Sequence, residues 1–357
     1  MRIALLSNPS SGRGRHSAAD DVARQILSEA GHEVLHVRGS SYDQARRAGR
    51  ALLGDGPDSN VEALVVVGGD GMVHLGVDIV ATTGVPLGIV ATGTGNDIAR
   101  HFGLPSRDAS ASARLISRAL AGDGAIMATD AIYASRPDGT LLAPQRRWSL
   151  AVVSAGVDAA VNARANTLSW PAREGRYVRA FTAELAALAP YGFRVTTDEG
   201  AWEGPALLLA VANTRYIGGG MDLAPQADPA DGLLEVLRLD PVSRPRLVSL
   251  FRRLFKGSHL TDPAVHVKRS RTVTIEALDE RTGHDRGLRP PPHPFADGEP
   301  LGGLPLRHRQ AEPFGQPPGL YPVRAAVCPD AQGSRFLQAF QRPMFLDHCL
   351  FPLLPLR

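Results

Sequence analysis

The sequence predicts an α/β domain built on a parallel sheet, followed by a β-sandwich. Up to about residue 130, short and wholly apolar runs alternate with amphipathic stretches, which is the pattern of parallel strands covered by helices on both faces. Beyond 130, short strand-like runs dominate and helical stretches become occasional, as in a two-sheet domain. A length of 357 residues leaves room for both units.

Taken in order, residues 2–6 (RIALL) read as a buried strand. A Ser/Gly/Arg loop follows, then a helix over 18–30 whose Val22, Ile26 and Leu27 share one face. A second strand is expected at 33–37, a second helix at 42–53, and a third strand at 63–67 (ALVVV). A helix over 73–81 leads to the fourth strand at 86–90 (PLGIV). In the second half, strands are expected at 130–134, 147–153, 194–197, 206–212, 233–239 and 272–277, with helices at 177–188 and 244–255. The domains are thus 1–130 and 131–306. Residues 290–357 hold 14 of the 28 prolines, a density that interrupts helices and central strands. The tail from 307 is therefore expected to be disordered, with the character of a frameshifted or otherwise atypical end.

Composition narrows the function classes. Lys+Arg 39 against Asp+Glu 36 leaves +3, too small an excess for a general nucleic-acid binder. The only lysines are Lys256 and Lys268, so an Arg is not functional merely because it is not Lys. Two cysteines, Cys328 and Cys349, exclude a disulfide scaffold and a cysteine-rich metal site. No apolar run approaches the roughly 20 residues that span a bilayer, and the start (MRIALLSNPSSGRG) is no signal peptide. The expected location is cytoplasmic.

Chemistry concentrates in three loops that follow strands, where open α/β sheets bind ligands. The first is Asn8-Pro9-Ser10-Ser11-Gly12-Arg13-Gly14. Its glycines can turn backbone N–H groups toward an anion at a helix start, although a plain strand–helix turn looks the same. The second, Gly68-Gly69-Asp70-Gly71-Met72, places an Asp between glycines, suited to orienting a nucleotide or a metal-bound phosphate. The third is Gly93-Thr94-Gly95-Asn96-Asp97. Thr94 offers a hydroxyl to phosphate, while Asn96 and Asp97 could equally cap the helix at 98–102. The pattern GxxxxGK[ST] is absent, as is a GxGxxG opening the first helix. These loops describe a nucleotide site of another kind.

The order NPSSG, GGDGM, GTGND, DGLLEV, ADGEPLG over residues 1–306 resembles the diacylglycerol kinase catalytic-domain family, which includes bacterial diacylglycerol kinases, sphingosine kinases and ceramide kinases. The resemblance implies a NAD kinase-like arrangement of an α/β nucleotide-binding domain and a β-sandwich, with ATP in the cleft between them. It implies ATP-dependent phosphorylation of a lipid hydroxyl, with diacylglycerol the leading substrate. A sphingoid base, ceramide or phosphatidylglycerol is the alternative, and a nucleotide-binding pseudokinase or regulator the reading from another class. Carried over, Asn8 to Gly12, Gly68, Gly69, Asp70 and Gly71 would cradle the ATP phosphates. Thr94 and Asn96 would touch the nucleotide, and Ser40 (or Gly39) would stand where the family has a contacting Thr. Asp97 corresponds to an aspartate needed for activity. Asp228, Asp231 and the Leu233 carbonyl correspond to a structural Mg²⁺ loop, or else to a turn before a strand. Glu299 corresponds to the base for the lipid hydroxyl, assisted by Asp297. Met72 and His74 depart from the family's usual Thr and Asn, a change that would weaken phosphate binding.

A lipid substrate implies contact with a membrane surface. The 244–255 stretch (RPRLVSLFRRLF) offers Leu247, Val248, Phe251, Leu254 and Phe255 beside Arg246, Arg252 and Arg253. Such a helix can lie at an anionic interface or pack on the sandwich with a solvated Arg face. The 169–179 stretch, with Trp170, Arg173, Arg176 and Arg179, is a second candidate. The oligomeric state is left open, a homodimer included.

Overall fold

A computed structural model describes residues 1–7, 15–39, 41–53, 60–81, 83–135, 148–170 and 174–278, with four short strands further on. The first unit runs β1 (Arg2–Ser7), α1 (Arg15–Glu29), β2 (Glu33–Arg38), α2 (Tyr42–Leu52), β3 (Ala63–Gly68), α3 (Asp70–Val80), β4 (Leu87–Ala91), α4 (Asp97–His101), α5 (Ala109–Leu120) and β5 (Ala125–Thr129). β2, β1, β3 and β4 pair in parallel in that order. Ile3, Leu5, Leu64, Val65 and Val66 are sealed from solvent, because α2 and α3 cover one face of the sheet while α1 and α5 cover the other. Burial on both faces is why these strands read as unbroken apolar runs.

The second unit comprises β6 (Ile132–Ser135), β7 (Trp148–Ser149), β8 (Val152–Gly156), α6 (Val157–Thr167), α7 (Glu174–Ala186), β9 (Tyr191–Thr197), β10 (Gly200–Ala206), β11 (Leu208–Ala212), β12 (Tyr216–Ile217), β13 (Met221–Asp222), β14 (Leu234–Leu239), α8 (Arg244–Leu254), β15 (Val265–Ser270) and β16 (Thr272–Ala277). Beyond these lie β17 (Phe295–Ala296), β18 (Glu299–Pro300), β19 (Leu306–Gln310) and β20 (Val323–Val327). Two six-stranded sheets, β10-β9-β16-β19-β6-β7 and β15-β14-β11-β8-β17-β18, contribute Phe193, Val195 and Ile275 from one and Val153, Val211 and Val236 from the other to a shared apolar layer.

Several expected elements shift. The strand expected at 147–153 is two strands, β7 and β8, separated by Leu150 and Ala151. α5, α6, β5, β10 and β15 were not anticipated; α6 is Ala-rich, with no apolar stripe to mark it. The segment beyond 307, expected to lack order, supplies most of β19, which pairs with both β16 and β6. It also supplies β20, which joins the first sheet between β4 and β5. Pairing through main-chain groups needs no apolar alternation, so Arg-His-Arg-Gln can occupy a sheet interior without announcing it. The rest of that segment lies outside the described residues.

Candidate active site at the domain junction

The second and third glycine loops meet main chain to main chain. A Cβ built on Gly69 would stand 3.1 Å from the Gly93 Cα, and one on Gly93 would stand 2.4 Å from the Gly69 Cα. β3 and β4 are neighbours in parallel register, so their carboxyl ends deliver both loops to one sheet edge. Only glycines allow this approach. Asp70 Oδ1 accepts the Ile98 N–H at 3.1 Å, so the start of α4 is capped across the loops. Asn96 takes the left-handed conformation (φ 52°) and donates from Nδ2 to Gly93 O and Ser106 Oγ, at 2.9 and 2.8 Å. Asn96 occupies the N-cap position of α4, as the sequence allowed, but neither its side chain nor that of Asp97 makes the capping hydrogen bond.

That geometry frees the Asp97 carboxyl to bridge the domains. Oδ1 accepts from Arg100 Nη1 at 2.7 Å, and Oδ2 accepts the Gly219 N–H at 2.7 Å. Asp97 is 6% exposed. Burial pushes its carboxyl above the ordinary range, while the Gly219 N–H and the Arg100 charge pull it down. Gly219 belongs to the Gly218-Gly219-Gly220 turn between β12 and β13, all three at positive φ, so this turn too presents bare backbone. Gly95 faces it, with Asp70 Oδ2 and Asp97 Oδ2 within 3.1 and 3.5 Å of where its Cβ would be. The contact is braced by the Arg215 N–H donating to His101 Nδ1 at 3.1 Å and by Arg215 paired with both Asp222 oxygens. Three consecutive glycines were the sequence signal for this turn, and it went unread.

The remaining expected residues fall in different places. Thr94 is exposed, and its carbonyl accepts from Arg107 at 3.0 Å. Met72 lies over Gly68, its Cγ 2.3 Å from where a Gly68 Cβ would be, and packs against the first domain's core. His74 is 1% exposed in α3, with its ring 6.4 Å from that of Tyr42 on α2. The structure thus sets His74 in the α2–α3 interface, apart from the loop cluster. Asn8, Pro9, Ser10, Ser11, Gly12, Ser40 and Asp297 lie outside the described residues. Glu299 stands on β18, opposite Ala296, which is itself opposite Val153 of β8. Val152 of β8 pairs with Ala212, the end of β11, from which Asn213 to Arg215 run to the first domain. The backbone of Glu299 therefore belongs to the sheet whose β11 leads toward Asp97.

The 228–233 loop gathers carboxylates at the same junction. Asp228 Oδ1 accepts Ala230 N–H and Asp231 Oδ1 accepts Leu233 N–H, at 3.0 and 2.8 Å. Asp130, 3% exposed and not anticipated, accepts Gly232 N–H at 2.8 Å. Burial raises the Asp130 carboxyl above its usual range, and the charges of Asp231 and Asp228 raise it further. Glu235 is 2% exposed, with both oxygens buried and unpartnered among the described residues. Against these four acids stand one ion pair, Arg269 to Asp231, and the Arg269 charge near Glu235. Asp130 and Glu235 are buried while Asp228 and Asp231 are exposed, and carboxylate oxygens in excess of cations are the donors a hard divalent cation takes. Among the described residues no three such side chains form a ready ligand group, so a cation there would be held partly through water, as Mg²⁺ favours.

The sandwich holds one further carboxyl. Asp158, in the first turn of α6, accepts Ala159 N–H at 2.9 Å, while Oδ2 is buried without a described partner. Burial pushes it up to about 7, with Ser154 and backbone hydrogen bonds opposing.

Comparison with known proteins accords with this architecture. Residues 2–129 match the diacylglycerol kinase catalytic domain and residues 151–329 the YegS C-terminal NAD kinase beta sandwich-like domain. A diacylglycerol kinase of Mycobacterium tuberculosis is 36% identical over 276 residues, covering 77% of this chain and 85% of that protein. A diacylglycerol kinase of Bacillus subtilis is 22% identical, covering 78% and 87%. The crystal structure of a diacylglycerol kinase from Bacillus anthracis superposes with TM-score 0.66 at 19% identity over 92% of this chain and 98% of that one. Yeast NADH kinase shares the fold more distantly, with TM-score 0.54 at 10% identity over 96% and 88%. Two matched domains, joined where the glycine loops meet the sandwich, place the chain in the diacylglycerol kinase family of lipid kinases.

Proposed function

We propose that the protein transfers the γ-phosphoryl group of ATP to the hydroxyl of diacylglycerol, yielding phosphatidic acid and ADP. The observation that carries this reading is the Asp97 carboxylate, held between Arg100 and the Gly219 N–H above two glycine loops packed back to back. Phosphoryl transfer asks a protein mainly for positioning and charge, not covalent chemistry. The Gly68–Gly71 and Gly93–Gly95 backbones offer a close, unobstructed surface to phosphates, joined by Asn8 to Gly12, Ser40, Thr94 and Asn96. Asp97 fixes the nucleotide relative to the sandwich. Glu299, assisted by Asp297, takes the proton as the lipid oxygen bonds phosphorus and the bond to the ADP oxygen breaks. Asp228, Asp231 and the Leu233 carbonyl, with Asp130 behind them, hold Mg²⁺, which supplies positive charge beside the cleft.

In this reading residues 1–130 bind the nucleotide, 131–306 form the lipid-kinase domain, and the segment from 307 returns strands to both. The protein works in the cytoplasm and reaches its substrate as a peripheral membrane protein. Among the described residues no helix is long and apolar enough to cross a membrane.

The test is label transfer from Mg²⁺–ATP to mixed micelles of diacylglycerol, sphingosine, ceramide and phosphatidylglycerol, with Glu299→Gln alongside. Label in diacylglycerol, with turnover cut at least about a hundredfold in the variant, is the expected result. Label in another lipid alone would move the substrate. ATP binding without label in any lipid would replace the kinase by a nucleotide-binding regulator.

A further inference from the structure

The described surface exposes seven large apolar side chains: Met1, Ile126, Trp170, Tyr177, Val178, Phe255 and Val267. Single exposed apolar residues are ordinary. Four of these, however, belong to one place. Arg244 donates from Nε and Nη2 to the carbonyls of Leu185 and Ala186, which sets the start of α8 against the end of α7. Seven residues along α8, the Phe251 ring lies 5.0 Å from that of Phe181, four to five residues back along α7. The helices therefore run in opposite senses, and one more turn carries Phe255 toward the end of α7 that bears Tyr177 and Val178. Trp170 is tied there as well, because Arg179 donates to its carbonyl at 2.9 Å and sets its guanidinium 5.9 Å from the ring. Trp170 is 72% exposed.

The sequence left two roles open for α8. Leu247 and Leu250 are buried with Leu207, Leu239 and Ala264, so the long apolar face of α8 is spent on the sandwich. Only its tip is left over, and that tip adjoins the exposed aromatic end of α7. Glu174 opens the same end of α7, while the exposed charged side chains described beside the tip are basic. Arg179, Arg252 and Lys256 are exposed, and no acid among the described residues pairs with them or with Arg176. Aromatic side chains ringed by unpaired cations suit a headgroup layer, where indole and phenol rings settle at the polar boundary and cations meet anionic lipid.

We propose that this α7–α8 tip is the membrane-docking surface, inserting Trp170, Tyr177, Val178 and Phe255 into a leaflet that carries anionic lipid. The inference rests on the lipid-kinase reading above and adds the face by which the enzyme meets its substrate. α6 and α7 grow directly from β8, the strand that borders β17, and β17 pairs with the strand carrying Glu299. Docking through this tip therefore ties the sheet that carries Glu299 to the bilayer through one helical hairpin.

The test uses the full chain with vesicles of phosphatidylcholine alone, or of phosphatidylcholine with one part in four phosphatidylglycerol, read by flotation. Of the three tryptophans, Trp148 is 9% exposed and Trp202 lies under Arg238, so brominated phosphatidylcholine should quench Trp170 selectively. The expected result is binding to the anionic vesicles, quenching of the parent, and loss of that quenching in Trp170→Phe. The double variant Trp170→Ser/Phe255→Ser should bind at least about tenfold more weakly, while phosphorylating a short-chain, water-soluble diacylglycerol at the parent rate. Equal binding to neutral vesicles, no quenching of bound protein, or full binding by the double variant would each overturn the proposal. So would absence of vesicle binding with self-association through the same residues. A parent that binds and is quenched, yet phosphorylates no lipid, would instead leave the docking surface standing and remove the kinase reading.

Discussion

Gly93→Ala isolates what the loop-to-loop contact contributes. The added Cβ falls 2.4 Å from the Gly69 Cα and 2.8 Å from Asn96 Oδ1, where carbon atoms ordinarily approach to about 3.5–4 Å. The loops must part by roughly 1 Å. The obstacle is main chain, which no rotamer change can move aside. Overpacking of this kind costs about 1–3 kcal/mol, and a backbone partner puts the site toward the upper end. At about 1–1.5 °C per kcal/mol for a chain of this length, Tm without nucleotide should fall by roughly 3–4 °C. Gly71→Ala is the matched control: its Cβ meets nothing within 4 Å, and it lies in the second glycine loop, against which Gly93 packs. It should keep the parent Tm and raise only the KM for ATP, by crowding the phosphates, whereas Gly93→Ala should lose both. Calorimetry without nucleotide, followed by kinetics over a range of ATP concentrations, reads the two effects separately. A Gly93→Ala protein melting with the parent, or a Gly71→Ala protein melting equally early, would show that the glycines answer to the ligand and not to each other.

Two further outcomes follow from the carboxyls. Asp97→Asn keeps the shape but gives up a charge-assisted contact with Arg100 or Gly219 worth about 1.5–3 kcal/mol, so kcat/KM should fall about tenfold to a hundredfold; unchanged kinetics would reduce Asp97 to a structural tie. Asp158 titrates at about 7 in the fold against an ordinary 3.8, so between those values the folded protein holds a proton that the unfolded chain has released. Its stabilising contribution is complete below about pH 4 and is lost as pH rises through 7, with a ceiling near 4 kcal/mol. The residue as a whole is part-exposed even though Oδ2 is sealed, which sets the observable effect below that ceiling. Urea midpoints at pH 5 and pH 8 should therefore differ less in Asp158→Asn than in the parent, and identical pH dependence in both would sink the assignment.

The strands of the first domain were legible because both their faces are buried, so every residue of 63–67 reports the same environment. The glycine loops were legible for the converse reason: close main-chain approach excludes side chains, and glycine is the only residue that records such exclusion. What escaped was whatever depends on a distant partner. Asp97 looked as much like a helix cap as a functional acid, because the sandwich residue that its carboxylate meets, Gly219, lies 122 positions away. Asp70 takes the capping role across 28 positions and so releases Asp97. Asp130 gave no local sign at all, since its significance comes from the 228–233 loop folding back onto it. Met72 and His74 stand beside a motif in the chain, and their packing was equally illegible from the sequence. α3 turns His74 inward against α2, while Met72 packs over Gly68.

The same contacts explain why the proposed site spans a junction and not one domain. The glycine loops belong to the first domain alone, but the Asp97 carboxyl beside them is fixed only when Gly219 donates from the sandwich. A buried carboxyl with two donors supplied from different domains senses their separation. Parting them by one hydrogen-bond length would strip Asp97 of the Gly219 N–H while leaving Arg100, a neighbour three residues along the same helix. The Asp97–Gly219 and His101–Arg215 hydrogen bonds thus hold the third glycine loop and α4 against the sandwich, and the positive-φ glycines at 218–220 present the second Asp97 donor on backbone free of side chains.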